Sequence, residues 1–235
     1  QQPMSITMRT PGQDADLFAG FLFTEGIIAS GHDIESMYSI GPGFGAADQA
    51  NTILAELSPN LNFDPSKLSR NFYTTSSCGV CGKTSIDLVE TVSCYMPQTA
   101  HPKVKVETLA SFPDSLLNAQ SLFEHTGGIH AAGLFSIDGE LLLLREDVGR
   151  HNALDKLIGA ALQREMLPLH DYILLLSGRI SFELVQKAAM AGIPVIGAVG
   201  APSSLAIELA SERGITLAGF VRPQRMNIYS SPERI

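Results

Sequence analysis

Residues 172–199 read YILLLSGRISFELVQKAAMAGIPVIGAV, and this stretch decides the fold. Tyr172–Leu176 is a short apolar run and reads as a buried strand. Ile180–Ala191 reads as a helix and Pro194–Val199 as a second strand. Ser203–Glu212 then reads as a helix and Ile215–Val221 as a last strand. Strand, helix, strand, helix, strand is the signature of right-handed crossovers around a parallel core. Toward the N-terminus, Leu154, Leu157, Ile158, Ala161 and Leu162 form an apolar stripe at helical spacing. Before that helix, Ala131–Ile137 and Glu140–Leu144 are apolar runs joined by Asp138-Gly139, a strong hairpin signal. A hairpin beside crossovers gives an α/β fold with a mixed sheet.

Leu116–Phe123 reads as a short helix that stops at Gly127-Gly128. His101-Pro102 reads as a linker, which divides the chain into a smaller N-terminal lobe, 1–100, and an α/β lobe, 101–235. In the first lobe Ser5–Met8 reads as the end of a strand. Thr10-Pro11 reads as an N-cap with proline at the first helical position. Asp14 and Asp16 fall in the first turns of that helix, and Leu17, Phe18, Phe21 and Leu22 form its apolar face through about Ile28. Ile34–Ile40 and Thr52–Leu57 read as strands around a turn at Gly41-Pro42-Gly43-Phe44-Gly45. Ser66–Thr74 leads into a cysteine loop, and Thr84–Val92 fits either a helix or an extended segment.

Composition bounds the function. The chain has 235 residues, 45% hydrophobic and 17% charged, enough for a sizeable core. A net charge of −8 argues against general nucleic-acid binding, which wants a basic surface, although a local arginine cluster can still hold phosphate. Three cysteines make no disulfide framework and suggest a reducing, cytoplasmic setting. No apolar run reaches a membrane span and no signal peptide is visible. The chain opens at Gln1 without a start methionine, so a native N-terminal portion is expected to be missing.

The densest chemistry lies at 76–83, SSCGVCGK. Glycine after each thiol allows an exposed, sharply bent loop rather than a packed core. Lys83 is a cation that favours thiolate, the form that acts as nucleophile or metal ligand. Such a pair can bind zinc, cycle as a disulfide or carry sulfur. A structural zinc site wants four ligands; beyond this pair only Cys94 remains, with six histidines, so a knuckle completed by His130 or His101 stays open, while Cys94 in its apolar context reads as buried. His130-Ala131-Ala132 invites comparison with zinc deaminases, but those need H-x-E and P-C-x-x-C, and here position 132 is alanine and Ser77 precedes Cys78. Deaminase chemistry is therefore disfavoured.

Arg145–Lys156 carries Arg145, Asp147, Arg150, His151, Asn152 and Lys156 at a strand-to-helix junction. It reads either as a solvated helix start laced with salt bridges or as an anion site at a helix N-terminus. Ser177-Gly178-Arg179 and Gly200-Ala201-Pro202-Ser203 sit where strands end, the place where ligands bind in α/β sheets. Arg145, Arg150, Ser177 and Arg179 are the candidate anion residues. The tail Arg225–Ser230 mixes a cation, an amide and an aromatic ring, and reads as a cover over a base or as a plain terminal strand.

Several of these segments together carry a resemblance: SSCGVCGK, TGGIHAAG, REDVGRHNALDKLIG, LSGRISFELVQKAAMAGIPV and RMNIYS. In this order, from Met8 to about Ser231, they resemble the FdhD family of sulfurtransferase accessory proteins of formate dehydrogenase. The resemblance implies a cytidine-deaminase-like sheet with flanking helices, without deamination, and a homodimer. It implies that a cysteine desulfurase loads sulfur onto Cys78 as a persulfide, with Cys81 as partner. It further implies binding of the molybdenum bis-(molybdopterin guanine dinucleotide) cofactor, partly through Met226, Asn227, Ile228, Tyr229, Ser230 and Ser231, and delivery of sulfur to its metal. The tail departs from the family pattern in having Met226 where phenylalanine is common. Two other classes stay open at this point: a zinc-dependent nucleotide deaminase or hydrolase, and a cofactor chaperone without sulfur transfer.

Overall fold

A computed structural model describes residues 4–43, 50–61, 95 and 101–235. Cys78, Cys81, Cys94, Lys83 and the segments read at Ser66–Thr74 and Thr84–Val92 lie outside the described residues. Six strands form a mixed sheet: β3 (His130–Phe135), β4 (Leu141–Asp147), β5 (Ile173–Leu176), β6 (Val195–Ala198), β7 (Thr216–Arg222) and β8 (Arg225–Ser230), in the order β4-β3-β5-β6-β7-β8. β5, β6 and β7 are parallel, and β3, β4 and β8 run antiparallel to their neighbours. The expected α/β class with a mixed sheet and flanking helices is the observed one. A separate hairpin pairs β1 (Ile34–Gly43) with β2 (Ala50–Leu57).

Helices cover both faces. Against one face lie α1 (Asp14–Thr24), α4 (Arg150–Gln163), α5 (Phe182–Met190) and α6 (Ser204–Glu212), around a core that includes Leu22, Leu154, Leu157, Ile158, Leu174, Leu184 and Ile196. Against the other lies α2 (Val106–Ala119), whose Leu109, Phe112 and Leu116 meet Phe135, Ile173, Leu175 and Val195. β5 thus buries Leu174 and Leu176 on one side and Ile173 and Leu175 on the other. A strand covered on both faces must be apolar at every position, which is why 173–176 reads as an unbroken run.

The first helix shares the core of the sheet rather than standing apart from it. α1 and α4 approach so closely that a Cβ on Gly20 would lie 1.8 Å from the Asp155 carbonyl oxygen, and one on Gly159 would lie 1.9 Å from that of Asp16. Only the missing side chains permit this contact. Beside it, the ammonium of Lys187 on α5 meets Asp155 at 3.0 Å, Glu25 at 3.2 Å and the Thr24 hydroxyl at 2.8 Å. Burial pushes the Lys187 pKa down, but the two carboxylates outweigh it and hold the ammonium charged, with its pKa raised.

Local signals misplace several elements. Residues 5–8 form no strand. Thr10 does not cap α1; its hydroxyl accepts from the Val148 N–H at 2.9 Å and its own N–H goes to Asp147 at 3.0 Å. The helix starts later, after Gln13 in the left-handed region. The helix expected at Leu116–Phe123 is instead the end of α2 and the start of α3 (Ser121–Thr126), broken at Gln120, because the buried Glu146 carboxylate accepts from the N–H groups of Leu122 and Phe123. Gly127 does end α3, at φ +66°. Gly41–Gly43 belong to β1 rather than to a turn. Thr216–Arg222 is not the last strand, because β8 follows it.

Replacing Gly159 by alanine is expected to destabilise the fold by about 1–3 kcal/mol or more, since its Cβ meets backbone rather than a yielding side chain. Gly31→Ala, with no heavy atom nearer than 3.6 Å, is the near-neutral control. Urea denaturation of the two variants checks the contrast.

Candidate functional site at one edge of the sheet

Ends of all six strands meet at one edge of the sheet, and all but β6 bring a polar or aromatic residue there. β5 and β6 end there, running into Ser177-Gly178-Arg179 and Gly200-Ala201-Pro202. The antiparallel strands reach it from the opposite sense: His130 opens β3 opposite Asp147, the last residue of β4, and Asn227 near the start of β8 pairs with Gly219 late in β7. The turns are packed against each other. A Cβ on Gly200 would sit 2.8 Å from the Gly178 carbonyl oxygen, and the Gly200 N–H donates to that oxygen at 3.1 Å.

The β4–α4 junction is built on a fully buried ion pair. Asp147 and Lys156 both have 0% side-chain exposure and meet at 2.8 Å. One Asp147 oxygen also accepts from the Thr10 N–H, and the other accepts from the Gly149 N–H at 2.9 Å and the Asn152 amide at 3.0 Å. Lys156 donates its remaining hydrogens to the carbonyls of Thr10 and Glu146. The polar run at 145–156 therefore holds salt bridges, as one of its two readings has it, but the central one is buried rather than solvated. Its product is a rigid start to α4, which presents Arg150 and His151 to the edge.

His151 reaches the start of α5. Its Nε2 lies 3.1 Å from the hydroxyl of Ser181, which stands at the N-cap position of α5 but makes no side-chain capping bond there. Glu183 approaches the same nitrogen at 3.9 Å. His130 lies beside Gly178, within 3.1 Å of where a Cβ would stand. Burial, then the Arg150 guanidinium and the Lys187 ammonium, push the His151 pKa down to about 4 against the opposing pull of Glu183. Burial and Arg150 also lower His130. At neutral pH both rings are neutral, and Arg150 carries the local positive charge. Ser177 accepts from the Ala131 N–H at 2.8 Å, which leaves its O–H to donate. Arg179 is exposed.

Not every expected residue reaches the edge. Arg145 is set back in β4, where it donates to Asp16 on α1 at 2.7 Å and to the Leu144 carbonyl oxygen. In the tail, Met226 and Ile228 pack into the core on the α2 side, whereas Tyr229 packs on the opposite face beside Gly219 and Asn227 donates to its hydroxyl. Ser230 and Ser231 stand at the far end of β8. The Ser230 hydroxyl donates to the Ile215 carbonyl oxygen, and the Ser231 carbonyl oxygen accepts from Thr216. Sequence reasoning missed Ser181 and Glu183; a serine just before a helical run was the available signal, as an N-cap.

Ser181, His151 and Glu183 do not line up as nucleophile, base and orienting carboxylate. Ser181 and Glu183 approach one and the same nitrogen of His151, so Glu183 does not orient the ring from the side opposite Ser181. A base with a pKa near 4 is also far too weak to activate a hydroxyl at neutral pH. What remains is a cradle of neutral donors, the guanidinium groups of Arg150 and Arg179 and two helix N-termini, which suits a bound anion. Among the described residues, no three His, Cys, Asp or Glu side chains are grouped to hold a metal. None of the described helices is long and apolar enough to cross a membrane.

Comparison with known proteins gives a consistent result. The FdhD/NarQ family model matches residues 1–235. The sulfur carrier protein FdhD of Mycolicibacterium paratuberculosis is 52% identical over 99% of this chain and 86% of its own length. That of Streptomyces coelicolor is 51% identical over 100% and 84%. A crystal structure of a protein described as a formate dehydrogenase accessory protein, from Desulfotalea psychrophila, superposes with a TM-score of 0.72 at 27% identity, over 97% of this chain and 82% of that one.

Two outcomes are expected of the site. Lys156→Met leaves the Asp147 carboxylate buried without its cation and should cost about 3–5 kcal/mol, most of it recovered in the Asp147→Asn/Lys156→Met double variant, as read by urea denaturation. The second concerns pH. The unfolded chain protonates His151 near 6.5, whereas the folded chain resists until about 4, so the stability tied to this residue is full above pH 6.5 and lost between 6.5 and 4. Wild type should therefore lose up to ~3 kcal/mol relative to His151→Asn as the pH falls from 7 to 4.

Proposed function

The chain belongs to the FdhD/NarQ family, and from that premise we propose that it is a sulfur carrier that loads a molybdenum cofactor for formate dehydrogenase. The observation that carries the reading is the match of the whole chain to sulfur carriers at about half identity, C-x-x-C loop included. In this reading a cytoplasmic cysteine desulfurase presents a cysteine persulfide. The Cys78 thiolate attacks its outer sulfur, the desulfurase thiolate leaves, and Cys78 becomes the persulfide, with Cys81 beside it as the exchanging partner. Glycines after both thiols and Lys83 at the end of the run supply an accessible, charge-supported loop.

The cofactor is the substrate of this transfer, and in the bis-(molybdopterin guanine dinucleotide) form it brings diphosphates and guanine rings. Arg150, Ser177 and Arg179 take the phosphate end, because donors and helix starts gather there. Asn227 and Tyr229 take the base end. Met226 and Ile228 anchor that strand in the core, Ser230 and Ser231 fasten its far end, and Arg145 braces α1. The protein works as a homodimer that hands the sulfurated cofactor to formate dehydrogenase.

Incubation with desulfurase and cysteine, followed by intact-mass spectrometry, should show one added sulfur on wild type and none on Cys78→Ala. That variant should also fail to activate formate dehydrogenase. Full activation by Cys78→Ala would leave a cofactor chaperone without covalent sulfur chemistry.

A further inference from the structure

Phe220 is held in an unfavourable place. It lies in a bulge of β7, where two residues, Phe220 and Val221, stand between the paired Gly219 and Arg222 while one, Met226, stands between Asn227 and Arg225 on β8. Its φ is +54°, in the left-handed region that favours glycine, asparagine and aspartate. A bulky side chain there costs on the order of 1–3 kcal/mol. The side chain is also 42% exposed, so its apolar surface gains only part of the usual burial. Conformation and exposure both count against phenylalanine at this point.

Its surroundings give the residue a use. The Phe220 N–H donates to the Gly200 carbonyl oxygen at 3.1 Å, which ties the bulge to the turn that ends β6. That turn in turn contacts Gly178 and Arg179 at the end of β5. Gly219, the residue before, lies against Pro202 and Tyr229. Phe220 thus sits at the edge where the ligand groups converge, between the strand-end turns and the Asn227–Tyr229 pair. A bulge is a common device for re-aiming a side chain next to a site.

We infer that Phe220 is a positioning residue that supplies the aromatic face on which the heterocyclic base of the bound nucleotide stacks, with Asn227 and Tyr229 at the ring's border. This rests on the reading of the edge as a nucleotide-bearing cofactor site. It adds a residue outside the tail segment and fixes the ligand's direction: phosphates toward His130, Arg150 and Ser177, base toward β7 and β8. Stacking of a base on an aromatic side chain is a sizeable, geometry-dependent contribution to affinity.

The sequence contains no tryptophan, so Phe220→Trp makes a single-fluorophore reporter at this position. Guanosine 5′-diphosphate is the probe. Calorimetric titration should show Phe220→Trp binding like wild type, with its emission quenched as the purine stacks. Phe220→Gly, which suits the left-handed backbone and should keep the wild-type circular dichroism, should bind roughly tenfold more weakly or worse. Binding by wild type with no quenching in Phe220→Trp and unchanged affinity in Phe220→Gly overturns the inference alone. Absence of binding by wild type overturns the nucleotide-site reading, and this inference with it.

Discussion

The pairing of Asp147 with Lys156 holds the working edge of this protein in shape. Two charges with no solvent exposure are tolerated only when their remaining hydrogen-bonding capacity is filled. Here Asp147 takes donors from Thr10, Gly149 and Asn152 besides Lys156, and Lys156 finds two carbonyl oxygens. The pair thereby joins three pieces of chain that are far apart in sequence: the N-terminal segment, the end of β4 and the first turns of α4. Because an unfilled partner would be so costly, the junction has one arrangement, and the side chains that project from it inherit that rigidity.

A second buried network reinforces the first. Lys187, between Asp155 and Glu25, links α5 to α4 and to the end of α1. Its charge also reaches His151, where with Arg150 it helps to keep the ring neutral. The core electrostatics and the edge electrostatics are therefore one system. The outcome is a cradle in which burial and neighbouring cations push both histidines down, His151 to about 4. Arg150 is the cation beside His130 and His151 and helps to push both rings toward the neutral form. A catalytic base would need the opposite tuning, toward pH 7.

What was legible in the sequence follows from range. The strands at 173–176 and 195–198 were readable because burial on both faces leaves no polar position to confuse them, and Asp138-Gly139 because a two-residue hairpin carries its own signal. Ser177-Gly178-Arg179 was legible as a strand end, and Arg150 as a helix start. Thr10 misled because a threonine before proline looks like a cap, while its partners lie more than a hundred residues away. Arg145 looked like an anion ligand for the same reason; Asp16 is distant in sequence and near in space. The tail read as one segment, but alternation along a strand divides it between two faces and two ends. The meeting of His151 with Ser181 and the bulge at Phe220 exist only through tertiary pairing, so no local pattern announces them.

The layout of the edge also constrains the ligand's size. Six strands spaced at about 4.8 Å make an edge of roughly 24 Å from β4 to β8. Arg150, Arg179, His130 and Ser177 lie on the β4, β3 and β5 side, and Phe220, Asn227 and Tyr229 on the β7 and β8 side, where Arg222 and Arg225 also pair. A bare inorganic anion would use only the first, and a free base only the second. A ligand that engages both must carry phosphate and ring at opposite ends and lie across the strand ends between them. Net charge makes the same point: in a chain of −8, binding an anion requires local positive groups, and Arg150 and Arg179 stand where the phosphates would enter. Under the proposed function, a ligand with phosphate and ring at opposite ends would use both sides of this edge, which a simple sulfur anion would not.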